Sequence, residues 1–320
     1  MKLIIQIPCY NEEKTLEIVL RSLPRKVEGF KKVEWLIIND GSTDNTVEVA
    51  KKNGVDHIIS FKENRGLAKG FMAGLDACIR HNADVIVNTD ADNQYNAEDI
   101  PLLVKPILEN KADMVVGARS ISQIGHFSKR KKLLQKLGSW TVKIASRSTI
   151  PDAPSGFRAL SKEAALKLNV FNEYTYTLET IIQAGRTGIA LTSVPIRTNE
   201  DLRPSRLVKS IGRYVRLSFI TILRIFTIYK PFRTFFSIGI FFFLIGFGLG
   251  IRWLYLFLVT GTERTHVPSL ILASICIILG FLIAMLAIIG DLLAVNRRLI
   301  EDVQYRVRRQ EAEAMKSKIS

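Results

Sequence analysis

Short apolar runs rich in β-branched residues alternate with amphipathic segments over the first 118 residues. Five strands are predicted: LIIQIP (3–8), WLIIN (35–39), HIISF (57–61), DVIVNT (84–89) and DMVVGA (113–118). Four helices are predicted between them: 12–23, 43–53 (capped by Ser42 or Thr43, ended by Gly54), 66–81 and 96–110 (capped by Asn96). Apolar strands that alternate with helices are typical of a parallel sheet covered on both faces. The pattern therefore predicts a Rossmann-like, mostly parallel α/β domain.

Two longer apolar segments follow near the C-terminus, 235–259 and 268–290. Each is long enough to cross a hydrocarbon core of about 30 Å at roughly 1.5 Å per residue. The alternative is a pair of buried core helices, but apolar runs of about 20 residues are rare in soluble folds. Arg252 interrupts the first segment, where it could snorkel to the interface or face a partner helix. We expect a transmembrane hairpin.

Basic residues flank this hairpin on both sides. They are Arg197, Arg203, Arg206, Lys209, Arg213, Arg216, Arg224, Lys230 and Arg233 before it, and Arg297, Arg298, Arg306, Arg308 and Arg309 after it. By the positive-inside rule, the N-terminal domain and both termini are predicted to be cytoplasmic. The predicted organisation is a globular domain (1–205), amphipathic interfacial helices (206–231), two transmembrane helices (232–295) and a basic cytoplasmic tail (296–320).

The chain carries 45 Lys and Arg against 30 Asp and Glu, a formal charge of +15. Such an excess suggests an anionic partner. Most of it lies from Arg119 onward, next to the apolar segments, which favours a membrane surface with anionic lipids over a nucleic acid. Three widely separated cysteines predict neither a metal site nor a disulfide framework and indicate a reducing compartment. Homo-oligomerisation is left open.

Polar residues follow each predicted strand, where ligands bind in sheets of this kind. They are Pro8, Tyr10, Asn11 and Glu12 after the first, Asp40, Gly41, Ser42, Thr43 and Asp44 after the second, Asn64, Arg65, Gly66 and Lys69 after the third, Asp90, Asp92 and Gln94 after the fourth, and Arg119 after the fifth. Neither a GxGxxG fingerprint nor a P-loop is present. These ends are predicted to form one crevice with groups of both signs.

The stretch DADNQY (90–95) suggests a metal site. If the strand continued through it, Asp90, Asp92 and Gln94 would point to one side, because side chains at alternate positions share a face. Carboxylate and amide oxygens next to a phosphate site imply a hard cation between them. The prediction is Mg²⁺ or Mn²⁺ held together with substrate phosphates.

The stretches IPCYNEE, NDGSTDNT, NRGLAKG and NTDADNQY, in this order and spacing, resemble family 2 glycosyltransferases of the GT-A fold. DAPSGFRALSKEAA (152–165) resembles the matching stretch of dolichol-phosphate mannosyltransferases and bacterial polyprenyl-phosphate sugar synthases. A two-span hairpin after the domain is similar to the bacterial members. The resemblance covers about residues 3–210, and it implies a GT-A domain joined to a helical membrane hairpin.

The resemblance also implies roles for individual residues. The donor, a UDP- or GDP-linked sugar, would be bound by Pro8, Tyr10, Asn11, Glu12, Asp40, Lys69, Asp90, Ala91, Asp92, Arg203 and Arg206. The metal ligands would be Asp90, Asp92 and Gln94. Arg119 and Arg130 would hold the acceptor phosphate, which makes Asp90, Asp92, Arg119 and Arg130 the catalytic set. RPSRL (203–207) has Arg where relatives usually have Lys and Pro204 where they have a Gly-containing turn.

The nature of the acceptor decides which groups the reaction needs. A sugar hydroxyl must lose a proton to a base, and Glu179 is the candidate. A phosphate monoester is already anionic near neutral pH and needs only to be held, which arginine does well. Arg119, Arg130 and the basic run SKRKK (128–132) favour the phosphate, although the lysines of that run fit a lipid-headgroup patch equally well.

The predicted function is therefore inverting transfer of a sugar from a nucleotide sugar to a polyprenyl phosphate at the cytoplasmic membrane face. The alternatives are transfer to a glycolipid or polysaccharide hydroxyl and, with weaker support, non-catalytic binding of nucleotide sugars at a membrane. Only two spans and no QxxRW-type motif argue against a polysaccharide-conducting synthase. The sequence identifies neither the sugar nor the base.

Overall fold

The computed structural model of this chain describes residues 1–119, 150–170, 176–200, 224, 227–228, 230–260 and 267–317. These residues divide into two compact units. The first comprises Met1–Tyr214 with Glu301–Ser320, and the second comprises Val215–Ile300. The predicted interfacial segment 206–231 lies largely outside the described residues.

A seven-stranded sheet with the order β3-β2-β1-β4-β6-β5-β7 forms the centre of the first unit. Its strands are β1 (Lys2–Cys9), β2 (Lys32–Asn39), β3 (His57–Ser60), β4 (Val85–Asn88), β5 (Met114–Arg119), β6 (Arg158–Ser161) and β7 (Leu191–Ile196). Only β6 runs against its neighbours β4 and β5, while every other pair is parallel. The mostly parallel sheet is confirmed, as are the five predicted strands. The sequence did not predict β6, which contains a buried arginine, or the edge strand β7, which contains Pro195.

Helices connect these strands and cover both faces of the sheet. They are α1 (Leu16–Ser22), α2 (Thr46–Lys52), α3 (Leu67–Arg80), a short 3₁₀-helix (Ala97–Asp99), α4 (Ile100–Leu108), α5 (Lys162–Lys167) and α6 (Thr177–Thr187). The cap by Asn96 is confirmed, since its Oδ1 accepts from Glu98 N at 2.9 Å. The cap of α2 by Ser42 or Thr43 is wrong: Asn45 precedes α2, because Ser42 and Thr43 bind Asn11 instead.

Side chains of the central strands enter two apolar clusters, one on each face of the sheet. In β1, Leu3, Ile5 and Ile7 join one cluster and Ile4 joins the other. Each of these side chains is fully buried, which stabilises the fold by roughly 1.5–3 kcal/mol per residue. Burial on both faces explains why the strands are continuously apolar in sequence.

Glu34 is the centre of a charge cluster near the amino ends of the strands. Its side chain is 3% exposed, and its oxygens lie 2.6 Å from Lys2 Nζ, 2.5 Å from Lys32 Nζ and 2.7 Å from His57 Nε2. Burial alone would raise the pKa of Glu34, but the hydrogen bonds from these three residues outweigh it and lower the pKa from 4.5 to about 2. The ionised carboxylate therefore stabilises the folded state.

The second unit contains two long helices, α7 (Pro231–Thr260) and the first part of α8 (Val267–Ser317). The rest of α8, from Glu301 onward, belongs to the first unit. Both are long and apolar enough to cross a membrane. Only 11% of the most apolar stretch of α7 and 17% of that of α8 is buried inside the protein, which disfavours the alternative of soluble core helices. Arg252 is exposed about two turns before the end of α7.

Glycines bring α7 and α8 into close contact. A Cβ on Gly280 would lie 2.8 Å from Gly239 O and 2.8 Å from Phe243 N, and a Cβ on Gly246 would lie 2.7 Å from Ala273 O. Small residues allow helix backbones to approach in lipid, where packing rather than hydrophobicity drives association. By contrast, a Cβ on Gly248 would meet nothing within 4 Å.

We expect Glu34→Gln to make the free energy of unfolding less dependent on pH in the acid range. Because the folded pKa is depressed, the stabilisation is present above pH 4.5 and is lost as the pH falls toward 2. Urea unfolding followed by tryptophan fluorescence should give a loss of about 2 kcal/mol at pH 7 that shrinks toward pH 2. The exposed Glu28→Gln is the matched control, and equal pH profiles for the two variants would contradict the assignment.

We expect Gly280→Leu to lower the apparent unfolding temperature of the detergent-purified protein, because the new side chain meets the backbone of α7. Overpacking of this kind typically costs about 1–3 kcal/mol. Gly248→Leu makes the same change where the structure leaves space. The packing described here is wrong if the two variants unfold at the same temperature.

Candidate active site

The carboxyl ends of the parallel strands bring the predicted residues to one edge of the sheet. Tyr10 follows β1, Asp40 follows β2, Asp90 lies two residues beyond β4, and Arg119 ends β5. Strands β2, β1 and β4 are adjacent, while β6 separates β4 from β5. The crevice therefore receives side chains from neighbouring strands and from the loop that precedes β6.

The loops after β1 and β2 are held together by hydrogen bonds. Asn11, with a positive φ of 54°, donates from its backbone N to Ser42 Oγ at 3.0 Å and accepts from Thr43 N at 2.8 Å. Glu12 N donates to Thr46 Oγ1 at 2.9 Å. Pro8 is half-buried within β1, whereas Tyr10 is 43% exposed. Asn11 and Glu12 thus build the loop, and Tyr10 offers an exposed ring beside it.

Asp40 fixes the loop that follows β3. It is 5% exposed, and its two oxygens accept from Arg65 N at 2.7 Å and from Gly66 N at 2.9 Å. Gly41 is required where the two loops meet, since a Cβ there would lie 2.4 Å from the carbonyl carbon of Glu63. Direct contact of Asp40 with a nucleotide stays a prediction, as does that of Lys69, which is exposed in the first turn of α3.

Residues 90–94 form a turn, so the expectation that Asp90, Asp92 and Gln94 share one face of a strand is wrong. Strand β4 ends at Asn88, Asn93 has a positive φ of 61°, and Asp92 Oδ1 accepts from Gln94 N at 3.1 Å. This local hydrogen bond offers the backbone an alternative to the sheet ladder. The turn still brings Asp90 and Asp92 together, with Ala91 buried between them.

Asp90 lies in crowded and largely desolvated surroundings. A Cβ on Gly156 would lie 3.0 Å from Asp90 Oδ2 and 3.0 Å from the Tyr176 hydroxyl, so a larger residue there would press on both side chains. Desolvation and the neighbouring charge of Asp92 raise the pKa of Asp90 to about 7, against the opposing influence of Arg119 and Arg158. Two carboxylates this close carry charge that the site must balance.

Arg119 is held by an ion pair that the sequence analysis did not predict. Asp152, fully buried, accepts from Arg119 Nε at 2.7 Å and from Nη2 at 3.1 Å, while Arg119 Nη1 donates to Gln94 Oε1 at 3.3 Å. Burial would lower the pKa of Arg119, but the hydrogen bonds to Asp152 and its negative charge outweigh burial, so the pKa lies above its ordinary value. The guanidinium is therefore a fixed cation beside the carboxylate pair.

Behind this turn lies a network of buried polar residues. Arg158 is fully buried and donates to the carbonyl oxygens of Ala153 and Ser155, each at 2.8 Å, and to Thr180 Oγ1. Burial lowers the pKa of Arg158 to about 10, so it stays a cation at neutral pH. Tyr95 Oη accepts from Gly156 N at 2.9 Å. The sequence signal for Ser155, Gly156 and Arg158 was the stretch DAPSGFRALSKEAA (152–165), whose resemblance carried no individual roles.

The donor set fits a hard divalent cation. Among the described groups of this cluster, the carboxylates of Asp90, Asp92 and Asp152 outnumber the guanidiniums of Arg119 and Arg158. No group of three His, Cys, Asp or Glu side chains in the described part of the chain is placed to hold a metal ion by itself, so further ligands would come from an amide or from substrate phosphates. Asp90 and Asp92 are the residues that would hold Mg²⁺ or Mn²⁺, and Gln94 Oε1 is near enough to Arg119 to be shared with it.

Three predicted site residues, Arg130, Arg203 and Arg206, lie outside the described residues, and so does the run 128–132. Their roles stay predictions. Glu179 is 7% exposed in the first turn of α6, and its role as a base is likewise untested.

Comparisons with known proteins support the resemblance to family 2 glycosyltransferases. The family described as Glycosyl transferase family 2 matches residues 4–168. The chain is 30% identical over 218 residues to the UDP-N-acetylglucosamine--dolichyl-phosphate N-acetylglucosaminyltransferase of Methanococcus voltae, covering 60% of this chain and 83% of that protein. It is 25% identical over 206 residues to the undecaprenyl-phosphate mannosyltransferase of Micrococcus luteus, covering 61% and 83%.

Solved structures with a similar fold include glucosyl-3-phosphoglycerate synthase from Mycobacterium tuberculosis, with a TM-score of 0.55 and 22% identity over 69% of this chain and 79% of that one. Another structure of that protein, with Mn²⁺, UDP and glucosyl-3-phosphoglycerate, gives a TM-score of 0.51. The likeness confirms the GT-A fold. Since the family match covers just over half of the chain, this protein belongs to glycosyl transferase family 2.

Proposed function

We propose that this protein is an inverting glycosyltransferase that moves a sugar from a UDP- or GDP-linked donor to a polyprenyl phosphate at the cytoplasmic face of a membrane. The proposal rests on one observation: a pair of carboxylates and a guanidinium lie together at one edge of the sheet. The carboxylates of Asp90 and Asp92 lie beside the fixed guanidinium of Arg119, in a chain that also has two helices able to span a membrane. Relatives named for dolichyl-phosphate and undecaprenyl-phosphate substrates support the same acceptor class.

The donor half of the site lies along the loops after β1, β2 and β4. The exposed ring of Tyr10 offers a surface for a nucleobase, and the loops held by Asn11 and Asp40 frame it. Asp90 and Asp92 would hold the divalent cation next to the donor diphosphate. When bound, the cation neutralises the charge that develops on the leaving nucleoside diphosphate.

The acceptor half is centred on Arg119. Asp152 holds the Nε and Nη2 edge of the guanidinium, which orients the side chain in advance of binding. Such a cation suits a phosphate oxygen, which attacks the anomeric carbon without losing a proton. A single displacement of this kind inverts the anomeric centre, so an α-linked donor gives a β-linked lipid phosphosugar.

The membrane orientation follows from charge. Basic residues precede α7 and continue beyond the apolar part of α8, so the positive-inside rule assigns both flanks, and hence the catalytic domain, to the cytoplasm. Anionic lipid headgroups would be attracted to these flanks. The donor is then drawn from the cytoplasmic pool of nucleotide sugars.

We expect purified protein to transfer label from one of a panel of nucleotide sugars to polyprenyl phosphate in the presence of Mg²⁺ or Mn²⁺. Label passing into organic solvent measures the transfer, and the anomeric configuration of the product measures inversion. Asp92→Asn keeps the hydrogen bond from Gln94 N but removes the charge, and it should lower turnover on the order of 100-fold or more.

The matched control is Asp302→Asn, which changes an exposed aspartate whose described partner, Arg306, lies in the same helix. It should leave turnover within about twofold. If label reaches only a glycolipid hydroxyl and never a phosphate lipid, the acceptor class proposed here is wrong and Glu179 becomes the residue to test. Transfer that persists in chelator and in Asp92→Asn would contradict the metal site.

We expect Arg119→Ala to raise the KM for polyprenyl phosphate on the order of tenfold or more, because it removes a charge-assisted contact, while the KM for the donor changes less. Arg25→Ala is the control, since Arg25 also forms an ion pair and stacks on Trp35, away from the crevice. Initial rates measured against each substrate in turn separate the two effects. An increase in the donor KM alone would contradict this role and indicate that Arg119 contacts the donor instead.

A further inference from the structure

The last part of α8 packs against the first unit rather than extending away as a solvated tail. We call residues 301–317 the tail helix; it belongs to the first unit. Ala312 is 3% exposed and lies in the same apolar cluster as Phe71 and Tyr176. Tyr305 packs against that cluster, and its hydroxyl donates to Glu163 Oε1 at 2.6 Å. The tail helix therefore contributes to the core on one face of the sheet.

Arg308 makes the polar contacts that fix the tail helix to the end of α5. Its Nη1 donates to the carbonyl oxygen of Leu168 at 2.8 Å, and its Nη2 lies 3.5 Å from Asp76 Oδ1 on α3. Leu168 caps the C-terminus of α5, where backbone carbonyls lack a helical partner. A guanidinium on such a carbonyl limits how far this end of α5 can move.

The neighbouring residue, Asn169, joins this contact to α6. Its side-chain amide donates to Gln304 Oε1 of the tail helix. Its backbone N donates to Gln183 Oε1 at 2.9 Å, and its carbonyl accepts from Gln183 Nε2. Gln183 is 3% exposed and lies in α6, so the position of Asn169 and the position of that helix depend on each other.

Helix α6 in turn forms the back of the candidate active site. Tyr176, directly before α6, accepts from Asn88 Nδ2 at 2.9 Å and stacks on Phe71 with ring centroids 3.9 Å apart. Thr180 accepts from Arg158. The hydroxyl of Tyr176 and the oxygens of Asp90 both lie within about 3 Å of the position that a Cβ on Gly156 would take, so the two side chains are neighbours. A shift of α6 would therefore reach Asp90.

We propose that Arg308 is a positioning residue for the active site: through Leu168, Asn169 and Gln183 it holds α6, and with it Tyr176 and Thr180, behind the Asp90 turn. The consequence for sugar transfer rests on the proposed function. The consequence for the packing of α6 does not depend on any substrate.

The test compares Arg308→Ala with Arg306→Ala in the full-length protein. The control removes the same charge two residues earlier, where the described partner, Asp302, lies in the tail helix itself. Hydrogen exchange of the α6 amides should be roughly tenfold faster in Arg308→Ala and unchanged in Arg306→Ala. The kcat for sugar transfer, per folded molecule, should fall roughly fivefold to tenfold with little change in either KM, and Arg308→Lys should restore part of it.

A double-mutant cycle that combines Arg308→Ala with Gln183→Leu tests whether the effect on kcat passes through Gln183. If the coupling passes through Gln183, the two losses in kcat will combine to less than their product. Equal exchange of α6 in the two arginine variants would overturn the proposal. So would a lower unfolding temperature in Arg308→Ala with unchanged exchange and kcat, which is the result of a merely structural contact. Absence of transfer by the unaltered protein with every donor would refute the proposed function instead, and the exchange experiment would then decide the positioning role.

Discussion

The closeness of two carboxylates, Asp90 and Asp92, in one packed turn is the interaction on which the rest of the site depends. Desolvation of Asp90 and repulsion from Asp92 raise the pKa of Asp90 to about 7, so a second negative charge in this turn is unfavourable. Two fixed guanidiniums, Arg119 and Arg158, offset this charge, and Gly156 leaves room beside Asp90, where a Cβ would lie 3.0 Å from Asp90 Oδ2. A divalent cation held by these carboxylates would relieve the same repulsion, which would link metal binding to the stability of the turn.

The antiparallel strand β6 makes this arrangement possible. It lies between β4 and β5, so the loop before it, with Asp152 and Gly156, reaches the gap between Asp90 and Arg119. A wholly parallel sheet would place β5 directly beside β4 and leave no route for that loop. The catalytic groups proposed here therefore depend on one reversal of strand direction.

Local periodicity was enough to predict β1 to β5, because each contains a short run rich in β-branched apolar residues, and to place Tyr10, Asp40, Asp90 and Arg119 at one edge. Local periodicity could not predict β6, because Arg158 in this strand is polar and yet buried. The carbonyl groups of Ala153 and Ser155 accept its hydrogen bonds only once the chain has folded. The turn at 90–94 was missed for a different reason. The alternation of polar residues suggests a strand. A turn forms instead, because the Asp92 side chain accepts a hydrogen bond from the backbone N–H of Gln94, two residues away. The packing of the tail helix was beyond prediction too, since its contacts with Leu168 and Glu163 join residues about 140 positions apart.

Both edges of the sheet are poor templates for another strand. Strand β3 is only four residues long, and β7 contains Pro195, which has no N–H to donate to a neighbour. Proteins confined to a membrane surface meet one another at a high effective concentration, because diffusion is restricted to two dimensions. For a chain whose two long helices could span a membrane, blunted edges would let many copies crowd on one bilayer without polymerising through their sheets.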